Sequence, residues 1–121
     1  EVRFERIQCD DAEYLFVAYG SSARICQKAV LLGRERGIKV GLLRPITLFP
    51  FPSNELAKLS KSVHGILCVE MSAGQMVEDV RLSVNGAVPV EHYGRLGGIM
   101  PAPDEVLNVL EKNFIKTKSY A

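Results

Sequence analysis

The hydrophobic pattern of the chain predicts five strands. Residues 14–19 (YLFVAY) and 65–70 (GILCVE) are nearly continuous apolar runs, typical of parallel strands that are covered on both faces of a sheet. Residues 39–44 (KVGLLR) and 88–93 (VPVEHY) are shorter apolar segments and predict two further strands. Residues 2–8 alternate apolar and polar side chains, which predicts a half-exposed strand at an edge of the sheet.

Four segments with a helical period lie between and after these strands: residues 22–36, 54–62, 76–84 and 103–114. Ser21 or Ser22 is suited to cap the first of them, and Ser53 the second. Gly37 is placed to end the first helix in a left-handed conformation. Gly33 lies inside that helix, where glycine is unfavourable, so we expect another backbone to pass close to it.

This order of strands and helices predicts an α/β fold with a mostly parallel sheet and helices on both faces. Parallel strands end at the same edge, so the loops 20–22, 44–52, 71–75 and 94–99 should gather there. These loops carry many large apolar side chains: Ile46, Leu48, Phe49, Phe51, Leu96, Ile99 and Met100. The cluster favours a protein–protein or domain–domain contact, and the alternative is that these side chains fold back onto their own core.

The composition narrows the class of protein. A length of 121 residues suits one domain, residues 1–121, with a loose tail at 116–121. The net charge of +1 gives no electrostatic reason to expect a nucleic acid or membrane partner, and no apolar run approaches the ~20 residues that span a bilayer. Because the sequence starts at Glu1 rather than at methionine, we expect a fragment of a longer subunit.

The three cysteines lack the close spacing of a zinc or iron–sulfur motif. Cys26 and Cys68 lie within apolar periodic segments, which predicts buried thiols and suits a reducing cytosol. His64 and His92 are the two histidines, too few for a probable metal site, and no Ser-His-Asp or Cys-His order stands out.

Glu70 is the most conspicuous carboxylate, since it ends a predicted buried strand near the start of a helix. It can act as a general acid or base, or it can accept backbone N–H bonds and hold the loop, and we favour the second interpretation. Glu78 and Asp79 point about 100° apart on a helix and form no catalytic pair, but both suit a first helical turn.

Three loops have features of an anion site. Residues 94–98 (GRLGG) do not follow the GxGxxG pattern, yet Arg95 beside glycines can hold a phosphate. Ser21, Ser22 and Gly74 lie where helices open and can bind an anion, although helix capping explains them nearly as well.

Four blocks of sequence together resemble a known family. They are VAYGSSARI at 17–25, GIKVGLLRPITLFPFP at 37–52, VEMSAGQMVEDVRLSVNG at 69–86 and YGRLGGIMPAPDEVL at 93–107. In this order they are similar to the carboxyl-terminal domain of the α subunit of 2-oxoacid:ferredoxin oxidoreductases, in the 2-ketoisovalerate or 2-oxoglutarate branch. The resemblance implies a transketolase C-terminal-like fold: a three-layer α/β/α sandwich with a five-stranded, mostly parallel sheet. One strand would be antiparallel, and residues 2–8 are our choice.

The reaction implied by the resemblance is oxidative decarboxylation of a 2-oxoacid with coenzyme A and ferredoxin in the cytoplasm. Thiamine diphosphate, magnesium, iron–sulfur clusters and coenzyme A are implied for the full enzyme. This chain matches none of the parts that hold them, so we expect no catalytic, cofactor-binding or metal-binding residue in it and an inactive isolated fragment.

The expected partners are the amino-terminal part of the same α subunit, the β and other subunits, and ferredoxin indirectly. The leading hypothesis is an assembly domain whose candidate contact residues are Arg44, Ile46, Leu48, Phe49, Phe51, Glu70, Gln75 and Arg95. The alternative is a small-ligand domain that binds an anion such as a coenzyme A phosphate through Ser21, Ser22, Gly74 and Arg95.

Overall fold

A computed structural model describes residues 2–71, 75–94 and 100–115. In these ranges there are five strands: β1 (Phe4–Ile7), β2 (Tyr14–Val17), β3 (Val40–Pro45), β4 (Gly65–Val69) and β5 (Val90–Tyr93). The helices of the same ranges are α1 (Gly20–Glu35), α2 (Ser53–Leu59), α3 (Gln75–Val84) and α4 (Pro103–Leu110). A single π-helical turn, Glu111–Ile115, continues α4. None of the described helices is long and apolar enough to cross a membrane.

The strands form one sheet in the order β1-β3-β2-β4-β5. Strand β1 pairs antiparallel with β3, and the other three pairs are parallel. The predicted fold class is therefore confirmed, including the choice of the first strand as the antiparallel one. The two outer strands, β1 and β5, have four residues each and carry exposed charged side chains such as Glu5 and Glu91.

Two hydrophobic layers cover the sheet, because side chains alternate along each buried strand. Leu15 and Val17 of β2 pack in the layer that also contains the buried side chains of α2 and α3. Phe16 and Ala18 point the other way, into the layer formed with α1 and α4. Strands β2 and β4 are neighbours, yet the helices that follow them cover opposite faces. Their carboxyl ends therefore mark the topological switch point, where ligands meet open α/β sheets.

The predicted helix caps were wrong. Helix α1 begins at Gly20 with Tyr19 as its N-cap, and no side chain caps it. Gly20 has a φ of +59°, so the chain turns into the helix before it reaches the serines, and Ser22 lies inside the first turn. Helix α2 likewise begins at Ser53, after Pro52 as N-cap, and no side chain caps it.

The structure confirms the prediction for Gly37 and corrects the prediction for Gly33. Gly37 has a φ of +82° after α1, as predicted. Among the described residues, the atoms nearest to Gly33 in the direction of a Cβ belong to side chains and not to a backbone, contrary to the prediction. A Cβ there would instead lie 2.9 Å from Val40 Cγ1 and 3.1 Å from Leu107 Cδ1. The glycine thus allows side chains of β3 and α4 to pack against α1.

Candidate functional site at the carboxyl edge of the sheet

The described parts of the loops that follow β2, β3 and β4 meet at the carboxyl edge, as predicted, while residues 72–74 and 95–99 lie outside the described residues. One small hollow of about 50 Å³ is lined by side chains from three of these loops and from α3, namely Tyr19, Leu48, Phe49, Glu70, Gln75, Met76 and Asp79. A second hollow, which we call the crevice, has a volume of about 320 Å³ and is lined by Tyr19, Gly20, Ser21, Ser22, Met71 and Met100. Tyr19 borders both, so it divides the edge into two parts.

The buried side chain of Glu70 connects several segments of this edge. Its side chain is 1% exposed, and its two carboxylate oxygens lie 3.1 and 3.0 Å from the backbone nitrogen of Met76, which donates to them. The Tyr19 hydroxyl donates to Oε2 at 3.4 Å, and His92 Nε2 lies 3.8 Å from Oε1. The interpretation of Glu70 as an acceptor of backbone N–H bonds is confirmed. A buried carboxylate can take part in docking only indirectly, through the loop that it holds.

Some apolar side chains of this edge are exposed to solvent, and others pack against the core. Phe49 is 90% exposed and Ile46 is 48% exposed. Leu48 and Phe51 are partly buried and pack against the core layer of α2 and α3. Met100 is exposed at the crevice. Leu96 and Ile99, predicted for the same cluster, lie outside the described residues.

The remaining candidate contact residues have different surroundings. Arg44 is half-buried in β3, opposite Glu5 of β1, and its Nη1 lies 2.8 Å from Glu5 Oε1. This ion pair explains the position of Arg44 within the sheet. Gln75 is exposed at the first position of α3. Arg95 and Gly74, which the anion hypothesis also used, lie outside the described residues.

A larger hollow, of about 450 Å³, lies elsewhere, between β1 and the start of α2. It is lined by Val2, Phe4, Pro50, Phe51, Pro52, Ser53, Asn54, Glu55 and Lys58. Its one carboxylate, Glu55, already pairs with Arg6 at 3.2 Å. Its other polar lining residues, Ser53, Asn54 and Lys58, all belong to α2.

The donor groups of the described residues do not suit a metal or cluster. They contain no group of three or more His, Cys, Asp or Glu side chains that could hold a metal ion. Cys9, Cys26 and Cys68 are buried free thiols on separate elements. Burial raises the pKa of all three, and for Cys68 the nearby charge of Glu70 raises it further, to about 12. Such protonated, separated thiols do not form the ligand set of an iron–sulfur cluster.

Sequence reasoning missed two residues of the crevice. Tyr19 is the last residue of an apolar run and was assigned to the strand alone, while Met71 was assigned to a turn. Ser22 was predicted as a helix cap or as part of an anion site, and the structure places it, 5% exposed, in the lining of the crevice. Its burial follows from helical spacing, which places it one turn before the buried Cys26.

The sheet order and the two helical layers define the class of this protein: a three-layer α/β domain of the transketolase C-terminal type. Two solved structures share the fold at identities that support the fold alone. A split-gene transketolase described as an inactive β4 tetramer has a TM-score of 0.77 and 15% identity, over 91% of this chain and 40% of that chain. The 2-oxoglutarate:ferredoxin oxidoreductase of Magnetococcus marinus has a TM-score of 0.74 and 17% identity, over 91% of this chain and 19% of that chain.

The chain belongs to the family described as pyruvate:ferredoxin oxidoreductase core domain II, which it matches over residues 12–106. It is 49% identical to ketoisovalerate oxidoreductase subunit VorB of Methanothermobacter thermautotrophicus, over 93% of this chain and 31% of that subunit. It is 35% identical to 2-oxoglutarate synthase subunit KorA of Methanothermobacter marburgensis, over 82% of this chain and 26% of that subunit. The predicted family is confirmed, and the chain spans less than a third of the length of these relatives.

Proposed function

We propose that the chain is the core domain II part of a 2-oxoacid:ferredoxin oxidoreductase in the ketoisovalerate branch. The 49% identity to a ketoisovalerate oxidoreductase subunit supports this branch over the 2-oxoglutarate branch, where identity is 35%. The full enzyme would convert a 2-oxoacid, coenzyme A and oxidised ferredoxin into an acyl-CoA, carbon dioxide and reduced ferredoxin in the cytoplasm. Thiamine diphosphate, magnesium and the iron–sulfur clusters would be held by other parts of the enzyme.

Within that enzyme the chain acts as an assembly domain that docks through its carboxyl edge. The observation that supports this role is the exposure of Phe49, which is 90% accessible, whereas the other phenylalanine and tyrosine rings of the described ranges are at least partly buried. Burying a phenylalanine side chain contributes about 1.5–3 kcal/mol. A partner that covers Phe49 and the exposed Ile46 of the same loop would therefore gain a large part of its binding energy from this loop.

The loop around Phe49 is held in place before any partner arrives. Leu48 and Phe51, on either side of Phe49, pack against the core. Thr47 receives a hydrogen bond from the backbone nitrogen of Arg3 at 3.0 Å, and its hydroxyl donates to the carbonyl of Pro50 at 3.2 Å. Less conformational entropy is lost on binding when the contact group is already ordered, which favours an interface. The proposed partners are the rest of the same subunit and the other subunits of the complex, with ferredoxin reached indirectly.

The test is Phe49→Asp in the complete complex, with Leu82→Asp as the matched control. Leu82 is 79% exposed on α3 and does not line the hollows at the carboxyl edge, so it carries the same chemical change elsewhere. We expect Phe49→Asp to reduce subunit association in size-exclusion chromatography and to lower 2-ketoisovalerate-dependent ferredoxin reduction in parallel. The control should retain both. Normal assembly and activity of the Phe49 variant would contradict the docking role.

A further inference from the structure

The small hollow at the carboxyl edge places a carboxylate beside the exposed ring of Phe49. Leu48 and Phe49 line it from the loop after β3, and Asp79 lines it from α3. Its volume of about 50 Å³ is little more than the ~30 Å³ that one molecule occupies in liquid water. The hollow therefore suits the tip of a side chain and is too small for a whole cofactor.

The two carboxylates that line the small hollow have different surroundings. Glu70 is buried and accepts hydrogen bonds from the Met76 N–H and from the Tyr19 hydroxyl. Asp79 is half-buried, and its carboxylate makes no ion pair with the residues that the structure describes. A charge that is partly withdrawn from water is stabilised by an opposite charge, so Asp79 favours a positively charged partner.

An aromatic face next to a carboxylate suits a guanidinium group. The flat guanidinium stacks on the face of a ring through a cation–π interaction, and its N–H groups donate to both oxygens of a carboxylate at once. A lysine ammonium is a compact point charge and lacks this flat, forked shape. With 90% of the Phe49 side chain exposed, its ring is open to such a stack. An anionic group would instead be repelled by the carboxylates of the hollow.

We propose that the docking surface around Phe49 receives an arginine side chain from another part of the complex. The guanidinium would stack on the Phe49 ring and pair with the Asp79 carboxylate. Apolar side chains next to that arginine would cover Ile46, which is 48% exposed on the same loop. This inference rests on the docking role proposed above, and it adds the chemistry of the partner: an apolar segment that carries one arginine.

Helix α3 offers a matched control for Asp79 at the preceding residue. Glu78 is exposed, points about 100° away from Asp79 around the helix, and does not line the small hollow. Glu78→Gln and Asp79→Asn therefore remove the same charge from the same helix, but only the second substitution changes the hollow.

The test is modification of arginines by phenylglyoxal in the complete complex, read by peptide mass spectrometry. We expect one arginine outside the 121 residues of this chain to react slowly, because its guanidinium is covered. Asp79→Asn should raise its rate of modification about tenfold, as expected for the loss of one charge-assisted hydrogen bond. Phe49→Leu keeps an apolar side chain but removes the ring, and should raise the rate about threefold. Glu78→Gln should leave the rate unchanged.

Three results would overturn the proposal. In the first, no arginine outside this chain reacts faster in the Asp79→Asn complex. In the second, the same arginine reacts equally fast in the Glu78→Gln complex. In the third, the arginine that responds belongs to this chain, as Arg95 does.

The docking role itself is judged by the separate Phe49→Asp experiment. If Phe49→Asp prevents assembly while Asp79→Asn exposes no arginine, the docking role stands and only the arginine is wrong. If Phe49→Asp also leaves assembly intact, the docking role fails together with this inference.

Discussion

Both carboxylate oxygens of Glu70 accept a hydrogen bond from one donor, the backbone N–H of Met76, at 3.1 and 3.0 Å. Glu70 directly follows β4, and Met76 lies in the first turn of α3. This pair therefore fixes the distance between the end of a central strand and the start of the next helix. The negative charge also lies at the positive end of that helix, where it is stabilised.

Replacing Glu70 by glutamine should destabilise the fold. The amide of glutamine is neutral and has only one acceptor oxygen, so the hydrogen bond from the Met76 N–H would no longer be strengthened by a negative charge. We expect the free energy of unfolding to fall by about 2 kcal/mol, measured by urea denaturation. Glu78→Gln is the control, since Glu78 is exposed in the first turn of the same helix. A loss of less than about 0.5 kcal/mol at Glu70, the usual size of a surface effect, would show that the pair is unimportant.

Gly65→Ala should lower the free energy of unfolding, because the added methyl group would clash with one aromatic ring. A Cβ at Gly65 would lie 2.5 Å from Cδ1 and 2.6 Å from Cγ of Phe114. The ring is buried and stacks on Tyr14 with a centroid distance of 6.3 Å, so it has little room to move. We expect a loss of about 1–3 kcal/mol in the free energy of unfolding.

The double variant Gly65→Ala/Phe114→Leu provides the check. Leucine is smaller than phenylalanine, so Gly65→Ala should reduce the free energy of unfolding by less in the Phe114→Leu background than in the wild type. Equal costs in the two backgrounds would mean that the ring is not the source of the strain.

Asp11 should make stability depend on pH in the acid range. Arg34 donates to both of its carboxylate oxygens, at 2.9 and 2.8 Å, and this bond lowers the pKa of Asp11 below its ordinary value of 3.8. A lowered pKa in the folded state means that the pair stabilises the fold above pH 3.8, and that this contribution is lost as the pH falls through the folded pKa.

Asp11→Asn should therefore be less stable than the wild type at pH 7, and the difference should shrink below pH 3.8. Urea denaturation across this pH range measures it. In an Arg34→Gln background the same substitution should have no effect that depends on pH. A constant difference between Asp11→Asn and the wild type at all pH values would refute the link to Arg34.

The three cysteines should be unreactive in the folded chain. Burial raises the pKa of Cys9, Cys26 and Cys68, so little thiolate forms at pH 8, and reagents cannot reach the sulfur atoms. Iodoacetamide should modify none of them in the native protein within about an hour and all of them in guanidinium, because opening of a stable fold is rare. Mass spectrometry counts the modified groups. Rapid native labelling of Cys68 would show that β4 is accessible.

The sequence was sufficient to predict the layers of the fold, because period and burial are local signals. The stripe of Met76, Val77, Val80 and Val84 is buried as predicted, and the alternating first strand lies at an edge. The burial of Cys9 was not predictable in this way. It follows from the return of β1 against β3, which brings the Cys9 thiol within 3.3 Å of the Leu42 carbonyl, 33 residues away.

In the candidate site, too, local contacts were predictable from the sequence, whereas contacts between distant residues were not. Glu70 was correctly interpreted because its place at a strand end and its partner at a helix start are six residues apart. The predicted caps of α1 and α2 were wrong, because the preference of serine for N-cap positions does not reveal where the chain turns into the helix. At α1 this turn is set by Gly20. The crevice combines Ser22 with Met71 and Met100, which only the strand order brings together.

The outer strands have a consequence for how copies of this chain meet one another. Both are short, and each places a charged side chain, Glu5 or Glu91, on its solvent side. Such margins discourage another molecule from extending the sheet by backbone pairing. Copies of the chain are therefore poorly suited to pair edge to edge, although each displays the exposed ring of Phe49.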